Sequence, residues 1–283
     1  MTHEQKRQIR EALVRYMENY NTPADAAATL SDISLSTISL ISNHNWELLS
    51  DRLWHHVARQ VGFYCGEWQA ADTSAHLLLR ILFADAQHYA MTYGIAMSHG
   101  LGKTFTALHY TRQHENVVYV AGKEAHNRRS FLQALLAAAG KSPEAATTGM
   151  LQQLLGTIKD MDQPVLVIDD AHKLKDRVLL LVVLLANSLA GNAGVIIMGD
   201  ESLRMRIIEG VRLKKAGYSD IYKIIGRRFI SLSSLSPADV ATVCRANGLH
   251  DEDVIDYITQ SSNNNLHTAT SLIVAHTQQS IAA

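Results

Sequence analysis

A short glycine-containing loop at residues 97–104 has the residue types and spacing to bind a phosphate. It reads Met-Ser-His-Gly-Leu-Gly-Lys-Thr and follows the pattern G-x-x-x-x-G-K-[ST], except that Met97 replaces the first glycine. In this pattern the backbone N–H groups hold the phosphates, the lysine reaches the β- and γ-phosphates, and the hydroxyl binds Mg²⁺. The loop therefore predicts an ATP and Mg²⁺ site. The predicted nucleotide contacts are Ser98, His99, Gly100, Leu101, Gly102, Lys103, Thr104 and Phe105.

Met97 raises the question of whether this loop still works. If its backbone requires a positive φ, a residue other than glycine costs about 1–3 kcal/mol there. If the loop leaves the preceding strand with an ordinary φ, the cost is small. Gly100 and Gly102, which let the backbone approach an anion, are present. We therefore expect ATP to bind.

Two aspartates follow the apolar run Val-Leu-Val-Ile, at positions 169 and 170. Ligands of open parallel sheets bind at the carboxyl ends of the strands, so we predict Asp169 and Thr104 as Mg²⁺ ligands. Asp170 occupies the position where an ATPase usually has a glutamate that orients the attacking water, and its reach is about 1.5 Å shorter. Met97 and Asp170 together predict slow hydrolysis, with a turnover number below about 1 s⁻¹.

Further polar residues complete the predicted catalytic set of Lys103, Asp169 and Asp170. Asp200 ends the apolar run Ile-Ile-Met-Gly and is a candidate for sensing the γ-phosphate. Arg227 and Arg228 are candidates for an arginine finger on the nucleotide of a neighbouring subunit. The sequence does not choose between these two arginines.

The elements that position these residues are apolar segments alternating with helical ones, which predicts an α/β fold with a parallel sheet covered on both faces. We assign residues 63–235 to this P-loop core. Residues 236–283 contain three helical segments and are predicted to form a small lid. The predicted strands are 90–97, 116–122, 164–170, 194–200 and 227–232.

Residues 1–62 read as a separate helical domain. Thr22 is a helix cap followed by Pro23, Ser36 is predicted to cap a second short helix, and one long helix is predicted from Trp46 onward. Two short helices joined by a tight turn predict a helix-turn-helix. Its second helix offers hydroxyls and an asparagine but neither arginine nor lysine. An auxiliary DNA contact and a protein-interaction role therefore remain equally open.

The composition limits the class of protein. The 283 residues carry a net charge of −1, which argues against nucleic-acid binding over the whole surface. No apolar run reaches about 18 residues, so no membrane span is expected. The charged start does not resemble an export signal, and Cys65 and Cys244 are isolated, so we predict a cytoplasmic protein. The 14 histidines lack the spacing of zinc sites.

The order of these motifs resembles the transposition ATPases of the AAA+ class, the Mu B-like proteins with their TnsC and IstB relatives. The resemblance is carried by "GLGKT", "VLVIDDAHKL", "GVIIMGDESL" and "EGVRLKKAGYSDIYKIIGRRF". It implies a bacterial, ATP-dependent, non-sequence-specific binder of duplex DNA that forms homo-oligomeric filaments and delivers target DNA to a transposase. His267 stands where the family usually has the arginine of a second nucleotide sensor.

Basic residues concentrate in one part of the chain and suggest where DNA phosphates would bind. Residues 200–230 carry eight basic against four acidic residues, a local charge of +4. The loop after the second strand provides a second set of basic residues. The alternative interpretation of both sets is that some of their members form intersubunit salt bridges. The predicted DNA contacts are Lys123, Arg128, Arg129, Arg204, Arg206, Arg212, Lys214 and Lys215.

Two other functions are compatible with the same motifs. A helicase loader or replication initiator would use the same ATPase core and differ in its partner. A nucleotide-gated regulator with little catalysis would use residues 1–62 to read an operator. Sequence-specific footprinting by residues 1–62 alone would favour the regulator.

Overall fold

The structure is a computed structural model, in which the chain forms two compact units. One unit consists of residues 1–69 together with 274–283, and the other of residues 70–273. The residues that the structure describes are 3–18, 20, 22–30, 32–61, 68–143, 146–227 and 229–282. Cys65 of the sequence analysis lies outside them.

The N-terminal unit has a small hydrophobic core of its own, in which Ile9, Leu13 and Trp54 are fully buried. Thr22 caps the second helix in a capping box with Asp25, with Pro23 at the helix start, as the sequence predicts. Its helices are α1 (His3–Met17), α2 (Pro23–Thr29), α3 (Leu35–Ser42) and α4 (Asp51–Gln60).

Two details of this unit correct the sequence analysis. The cap of α3 is Ser34 rather than Ser36, because the Ser34 hydroxyl accepts the backbone N–H of Thr37. The predicted long helix is broken into a short 3-10 helix, Trp46–Leu48, and α4. The break follows from the burial of Trp46, whose indole N–H donates to the Ile41 carbonyl at 3.0 Å.

A five-stranded parallel sheet forms the centre of the second unit, which confirms the predicted α/β fold. The strand order is β2-β3-β4-β1-β5. The last strand is only two residues long, shorter than predicted, and follows a left-handed turn residue, Arg227, at φ 59°. The strands are β1 (Thr92–Ala96), β2 (Val117–Ala121), β3 (Val165–Asp169), β4 (Gly194–Gly199) and β5 (Phe229–Ile230).

Helices cover both faces of this sheet, and each face has its own buried cluster. Two of the helices, α10 and α11, were not foreseen, because the sequence analysis treated their residues only as a charged segment. The helices are α5 (Ser74–Tyr89), α6 (Lys103–Gln113), α7 (Arg128–Ala138), α8 (Thr147–Lys159), α9 (Asp176–Ser188), α10 (Glu201–Arg212) and α11 (Tyr218–Ile224).

Three further helices follow the sheet, α12 (Pro237–Ala246), α13 (Glu252–Ser262) and α14 (Leu266–Ala282). Residues 236–273 belong to the same compact unit as the sheet. Asp239 ties α12 to the start of α5, since its carboxylate accepts the backbone N–H of Ser74 at 2.6 Å and the Ser74 hydroxyl at 3.0 Å. Within the described residues, no helix is both long enough and apolar enough to span a bilayer.

Candidate functional site

The predicted site residues come from three adjacent strands. The sheet order places β1 beside β4 and β4 beside β3, so their carboxyl ends lie at one edge. The phosphate loop leaves β1, Asp169 and Asp170 follow β3, and Asp200 follows β4. Parallel pairing thus brings together residues that are about 100 positions apart in sequence, from Lys103 to Asp200.

Met97 fits the loop without backbone strain. Its φ is not positive, its side chain is 1% exposed, and its N–H donates to the Gly199 carbonyl at 3.1 Å. The left-handed conformations fall on Gly100, at φ 75°, and Gly102, at φ 84°. Strain at Met97 therefore gives no reason for a weak nucleotide site, and the slow-hydrolysis prediction now depends on Asp170.

Lys103 begins α6 and lies against the loop itself. Its ammonium donates to the carbonyl oxygens of Met97 and Ser98, each at 2.8 Å. Burial lowers the pKa of Lys103, while Asp169, Asp170 and Asp200 act in the opposite direction and favour its charged form. The ammonium therefore lies within the electrostatic influence of all three predicted carboxylates.

Asp169 and Thr104 form the direct link between β3 and the phosphate loop. The Thr104 hydroxyl donates to Oδ2 of Asp169 at 2.6 Å, and the Tyr119 hydroxyl donates to the same oxygen at 3.2 Å. Burial raises the pKa of Asp169, against the effect of these hydrogen bonds. Tyr119, on β2, was not foreseen, because nothing in an apolar strand marks one tyrosine as a contact of a carboxylate on the next strand.

These oxygen donors fit Mg²⁺, which prefers hard oxygen ligands and commonly takes one or two from the protein. Thr104 and Asp169 would hold the ion. No group of three or more His, Cys, Asp or Glu side chains in the described part of the chain could hold a metal by itself. The remaining ligands of a Mg²⁺ ion here would come from water and phosphate.

Asp170 has a left-handed backbone, with φ 49°, and caps a short 3-10 helix, Ala171–Lys173. Its carboxylate pairs with Lys173 at 2.7 Å. The residue expected to orient the attacking water is therefore engaged in a local ion pair, in addition to being shorter than glutamate.

Asp200 is the most connected carboxylate of the site. It caps α10 by accepting the Ser202 N–H at 2.9 Å, and its other oxygen lies 2.8 Å from Nε2 of His99. Nε2 of His172 is 3.8 Å from the same oxygen. Burial alone would raise the pKa of Asp200, but the Ser202 hydrogen bonds and the nearby His172 outweigh it and lower that pKa.

His172 was not foreseen in the sequence, where a histidine two positions after the aspartate pair has no distinguishing signal. Its Nδ1 is buried and has no hydrogen-bond partner among the described residues. The His99 and His172 rings are 6.1 Å apart. Two imidazoles thus flank one carboxylate at the edge of the phosphate loop.

Phe105 lies on the first turn of α6 and is 37% exposed. Its ring stacks on that of His109 at a centroid distance of 5.8 Å. The buried His76 of α5 lies 5.4 Å from His109, and its Nδ1 is 2.9 Å from the Thr106 hydroxyl. Phe105 is therefore partly open to solvent on one side of the loop helix.

The start of α14 contacts the phosphate loop. The Leu266 N–H donates to the Gly100 carbonyl at 2.8 Å, and the Asn265 side chain accepts the N–H of His267 at 2.9 Å. A Cβ added to Gly100 would lie 2.2 Å from Oδ1 of Asn265. The exposed His267 is thus next in sequence to the residues that touch the loop.

Arg227 is exposed and lines a cavity of about 590 Å³ together with Ser98, Arg204 and Tyr222. The structure therefore brings the predicted finger close to a residue of its own phosphate loop. Arg228, the other candidate, lies outside the described residues.

Two of the predicted DNA contacts that follow the second strand, Arg128 and Arg129, line a groove of about 1040 Å³, and the third, Lys123, is exposed in the loop before α7. Arg128 and Arg129 are the first residues of α7, capped by Asn127, rather than loop residues. Lys175 and Arg177, at the start of α9, line the same groove and were not foreseen. Their separation of about 50 residues from Arg128 concealed this proximity in the sequence.

The predicted DNA contacts within residues 200–230 lie on and after α10, and they differ in how many of their donors are bonded within the molecule. Arg206 is half-buried and donates to the Leu174 carbonyl at 2.6 Å, to Tyr218 and to Asp176. Arg204 and Arg212 pair with glutamates on their own helix, whereas Lys214 and Lys215 are exposed beyond its end. The donors of Arg206 are thus used within the molecule and are not presented to DNA.

Comparison with known families agrees with this geometry. Residues 98–207 match the family model described as an AAA domain. The match includes the phosphate loop from Ser98 onward, both strand-end aspartates of β3, and Asp200. No curated protein matches the chain. The matched region supports a place among the AAA+ ATPases and a nucleotide-dependent ATPase activity.

Proposed function

We propose that this chain is an AAA+ ATPase that binds duplex DNA without sequence specificity when it holds ATP. In this proposal it assembles as filaments on the DNA and delivers target DNA to a transposase. The observation that carries the nucleotide part is the 2.6 Å hydrogen bond between Thr104 and Asp169, which joins the phosphate loop to the strand end that would hold Mg²⁺.

Each residue of the site has a defined part in this activity. Lys103 binds the β- and γ-phosphates, and the N–H groups of residues 98–104 hold the phosphate oxygens. Thr104 and Asp169 hold Mg²⁺, which when bound neutralises charge on the phosphates. Asp200 lies at the edge of the loop where it can sense the γ-phosphate.

The DNA part is supported by a basic surface that continues from one set of predicted contacts to the other. Asp176, which lines the groove beside Lys175, accepts the Tyr218 hydroxyl at 2.8 Å, and Nζ of Lys215 lies 5.9 Å from the Tyr218 ring. Lys215 is therefore near the same end of α9 as the groove arginines. Several cations on one surface suit the regular spacing of DNA phosphates.

The filament part is supported by the exposed Arg227, which a neighbouring subunit's nucleotide could contact. Contacts between unlike surfaces of identical subunits build open helical assemblies when the rotation does not close. A finger that completes the neighbour's site would couple assembly to ATP.

Electron microscopy of the full chain with long duplex DNA tests this function. We expect filaments with ATP or a slowly hydrolysed analogue, and none with ADP or without nucleotide. The control is Lys103→Ala, which should assemble in no condition, because losing hydrogen bonds from a charged group costs about 1.5–3 kcal/mol, or roughly 10- to 150-fold in nucleotide affinity. Filaments that form equally with and without nucleotide, or no filaments in any condition, would contradict the proposal.

A transposase assay then separates this function from its alternatives. The chain with ATP should direct strand transfer by a transposase onto the DNA that carries the filament. Protection of one sequence by residues 1–62 alone would instead favour an operator-binding regulator. Stimulation of helicase loading would favour a helicase loader.

A further inference from the structure

We propose that His99 and Asp200 form a catalytic dyad, in which His99 takes the proton of the water that attacks the γ-phosphate and Asp200 orients the His99 ring. This inference rests on the proposed ATPase activity and deepens it, because it names the base. In the sequence, His99 is predicted as a nucleotide contact and Asp200 as a sensor, and no local pattern links the two.

The geometry of the pair is that of an oriented base. Nε2 of His99 is 2.8 Å from Oδ2 of Asp200, while Oδ1 of Asp200 is fixed by the N–H of Ser202 at 2.9 Å. A carboxylate that accepts one imidazole N–H sets the tautomer and leaves the other ring nitrogen as an acceptor. Nδ1 of His99 is thereby free to take a proton. The His99 side chain is 75% exposed, so water can reach it.

The pair borders the group that binds the reacting phosphate. His99 belongs to the phosphate loop, and Asp200 is one of three carboxylates that favour the charged form of Lys103. Because that lysine reaches the β- and γ-phosphates in loops of this pattern, the dyad lies at the end of the site where the γ-phosphate would react.

Asp170, the residue at the usual position of the base, is less well placed. Its carboxylate forms a 2.7 Å ion pair with Lys173, which itself is partly exposed. The chain therefore offers a better base on the loop than on the strand end.

The charged and titratable groups near the dyad include Lys103, His172 and Glu201, which follows Asp200 and pairs with Arg204. His172 acts as a positioning residue: its Nε2 is 3.8 Å from Oδ2 of Asp200, and its ring meets that of His99 edge-on at 6.1 Å. It limits where the Asp200 carboxylate can lie, and so where His99 is held.

In the proposed step, water displaces ADP from the γ-phosphorus. The water oxygen forms a bond to the γ-phosphorus, and the bond from that phosphorus to the β–γ bridging oxygen breaks. The bridging oxygen leaves on ADP with the electron pair, while one water proton moves to Nδ1 of His99. The products are ADP, hydrogen phosphate and an imidazolium, which returns its proton to solvent.

Substitution of His99 tests the dyad. His99→Gln can still donate to Asp200 but cannot take up a proton. We expect kcat for ATP to fall about 10²-fold or more, as for loss of a general base, with nucleotide affinity within about threefold of wild type. His88→Gln, an exposed histidine on α5, is the matched control and should keep wild-type turnover.

The pH profile and one further variant sharpen the test. The kcat of wild type should fall on the acid side of its pH profile, and His99→Gln should lose this limb. Asp170→Asn should lower kcat by a smaller factor than His99→Gln. A larger fall in kcat for Asp170→Asn than for His99→Gln would overturn the dyad. Equal pH profiles of wild type and His99→Gln would overturn it as well.

A measurement independent of turnover completes the design. Nitrogen-15 NMR of the histidine rings in the nucleotide-free full chain should show His99 as the Nε2–H tautomer, and Asp200→Asn should weaken that preference. A mixed tautomer in wild type would argue against an oriented base.

Wild-type protein that binds ATP but does not hydrolyse it, with or without DNA, would overturn the dyad while leaving nucleotide binding intact. Absence of nucleotide binding in wild type would instead reject the proposed function itself.

Discussion

At the scale of single residues, the phosphate loop depends on where its left-handed positions fall. Met97 occupies the place of the first glycine, yet it is a buried core residue with an ordinary φ. Gly100 and Gly102 adopt the conformations that other residues rarely take. The glycine missing from the pattern is therefore the one that this fold does not need.

Gly100→Ala is a residue-scale prediction that follows from this arrangement. The change adds strain of about 1–3 kcal/mol at φ 75°, and the new Cβ would lie 2.2 Å from the Asn265 side chain. We expect a lower free energy of unfolding in urea and weaker nucleotide binding.

Gly140→Ala is the matched control for this prediction. Gly140 has a similar φ of 71°, but nothing lies within 4 Å of its added Cβ. Gly140→Ala should lower the free energy of unfolding by the backbone strain alone, and it should leave nucleotide binding unchanged. Equal loss of stability in the two variants would mean that the contact between the loop and Asn265 is unimportant.

At the scale of elements, α10 shows why a helix escaped the sequence analysis. Its buried residues Leu203, Ile207 and Gly210 have helical spacing, but the same helix carries five charged residues. Gly210 allows close packing, since its added Cβ would lie 2.1 Å from the Tyr218 ring. The charge of the segment was read as a binding surface, whereas one of its arginines, Arg206, holds α10 to the start of α9.

The contact between α5 and α6 gives an element-scale prediction about pH. Burial lowers the pKa of His76, and the nearby His109 adds to this effect. The unfolded chain therefore binds a proton more readily than the folded one. The contribution of His76 to the free energy of unfolding should be fully present above about pH 6.5, and it should fall as the pH drops below that value. The free energy of unfolding should fall by about 1.4 kcal/mol for each unit by which folding lowers this pKa.

His76→Gln should make the melting temperature less sensitive to acid between pH 7.5 and 5. Glutamine does not titrate and can still bond to the Thr106 hydroxyl, so the fold should be retained. The exposed His88 on the same helix provides the control, and His88→Gln should keep the wild-type pH dependence. A melting temperature of His76→Gln that falls as steeply as that of wild type would show that another group is responsible.

At the scale of the whole molecule, the basic groove predicts how DNA binding depends on salt. Arg128 and Lys175 line it from two different helices, and neither forms an ion pair within the described ranges. Each phosphate contact contributes about 0.9 to the slope of log K against log salt. We expect the double variant Arg128→Ala and Lys175→Ala to lower that slope by about 1.8 in the presence of ATP.

Lys159→Ala is the matched control, since Lys159 is an exposed lysine at the end of α8. Lys159→Ala should keep the wild-type slope. This variant and the double variant should both bind nucleotide with wild-type affinity. An unchanged slope in the double variant would place the DNA on another surface.

The sequence by itself determined the class of the core and the identity of its phosphate-binding residues. The local pattern of Gly100, Gly102, Lys103 and Thr104 specifies a loop and a helix start, and the apolar runs before Asp169 and Asp200 specify strands. These signals are local, because they depend on backbone conformation and on side-chain periodicity within a few residues. The helix-turn-helix, the lid and the DNA-delivery role stay predictions.

The tertiary structure decided which residues meet. The contacts of Asp200 with His99 and His172, of Tyr119 with Asp169, and of Asn265 with Gly100 join segments that are far apart in the chain. Such contacts depend on strand order and helix packing, which a single sequence does not encode in any local pattern. The structure also showed that Met97 is unstrained and that Arg206 is engaged within the molecule, since φ and hydrogen-bond partners are properties of the folded chain alone.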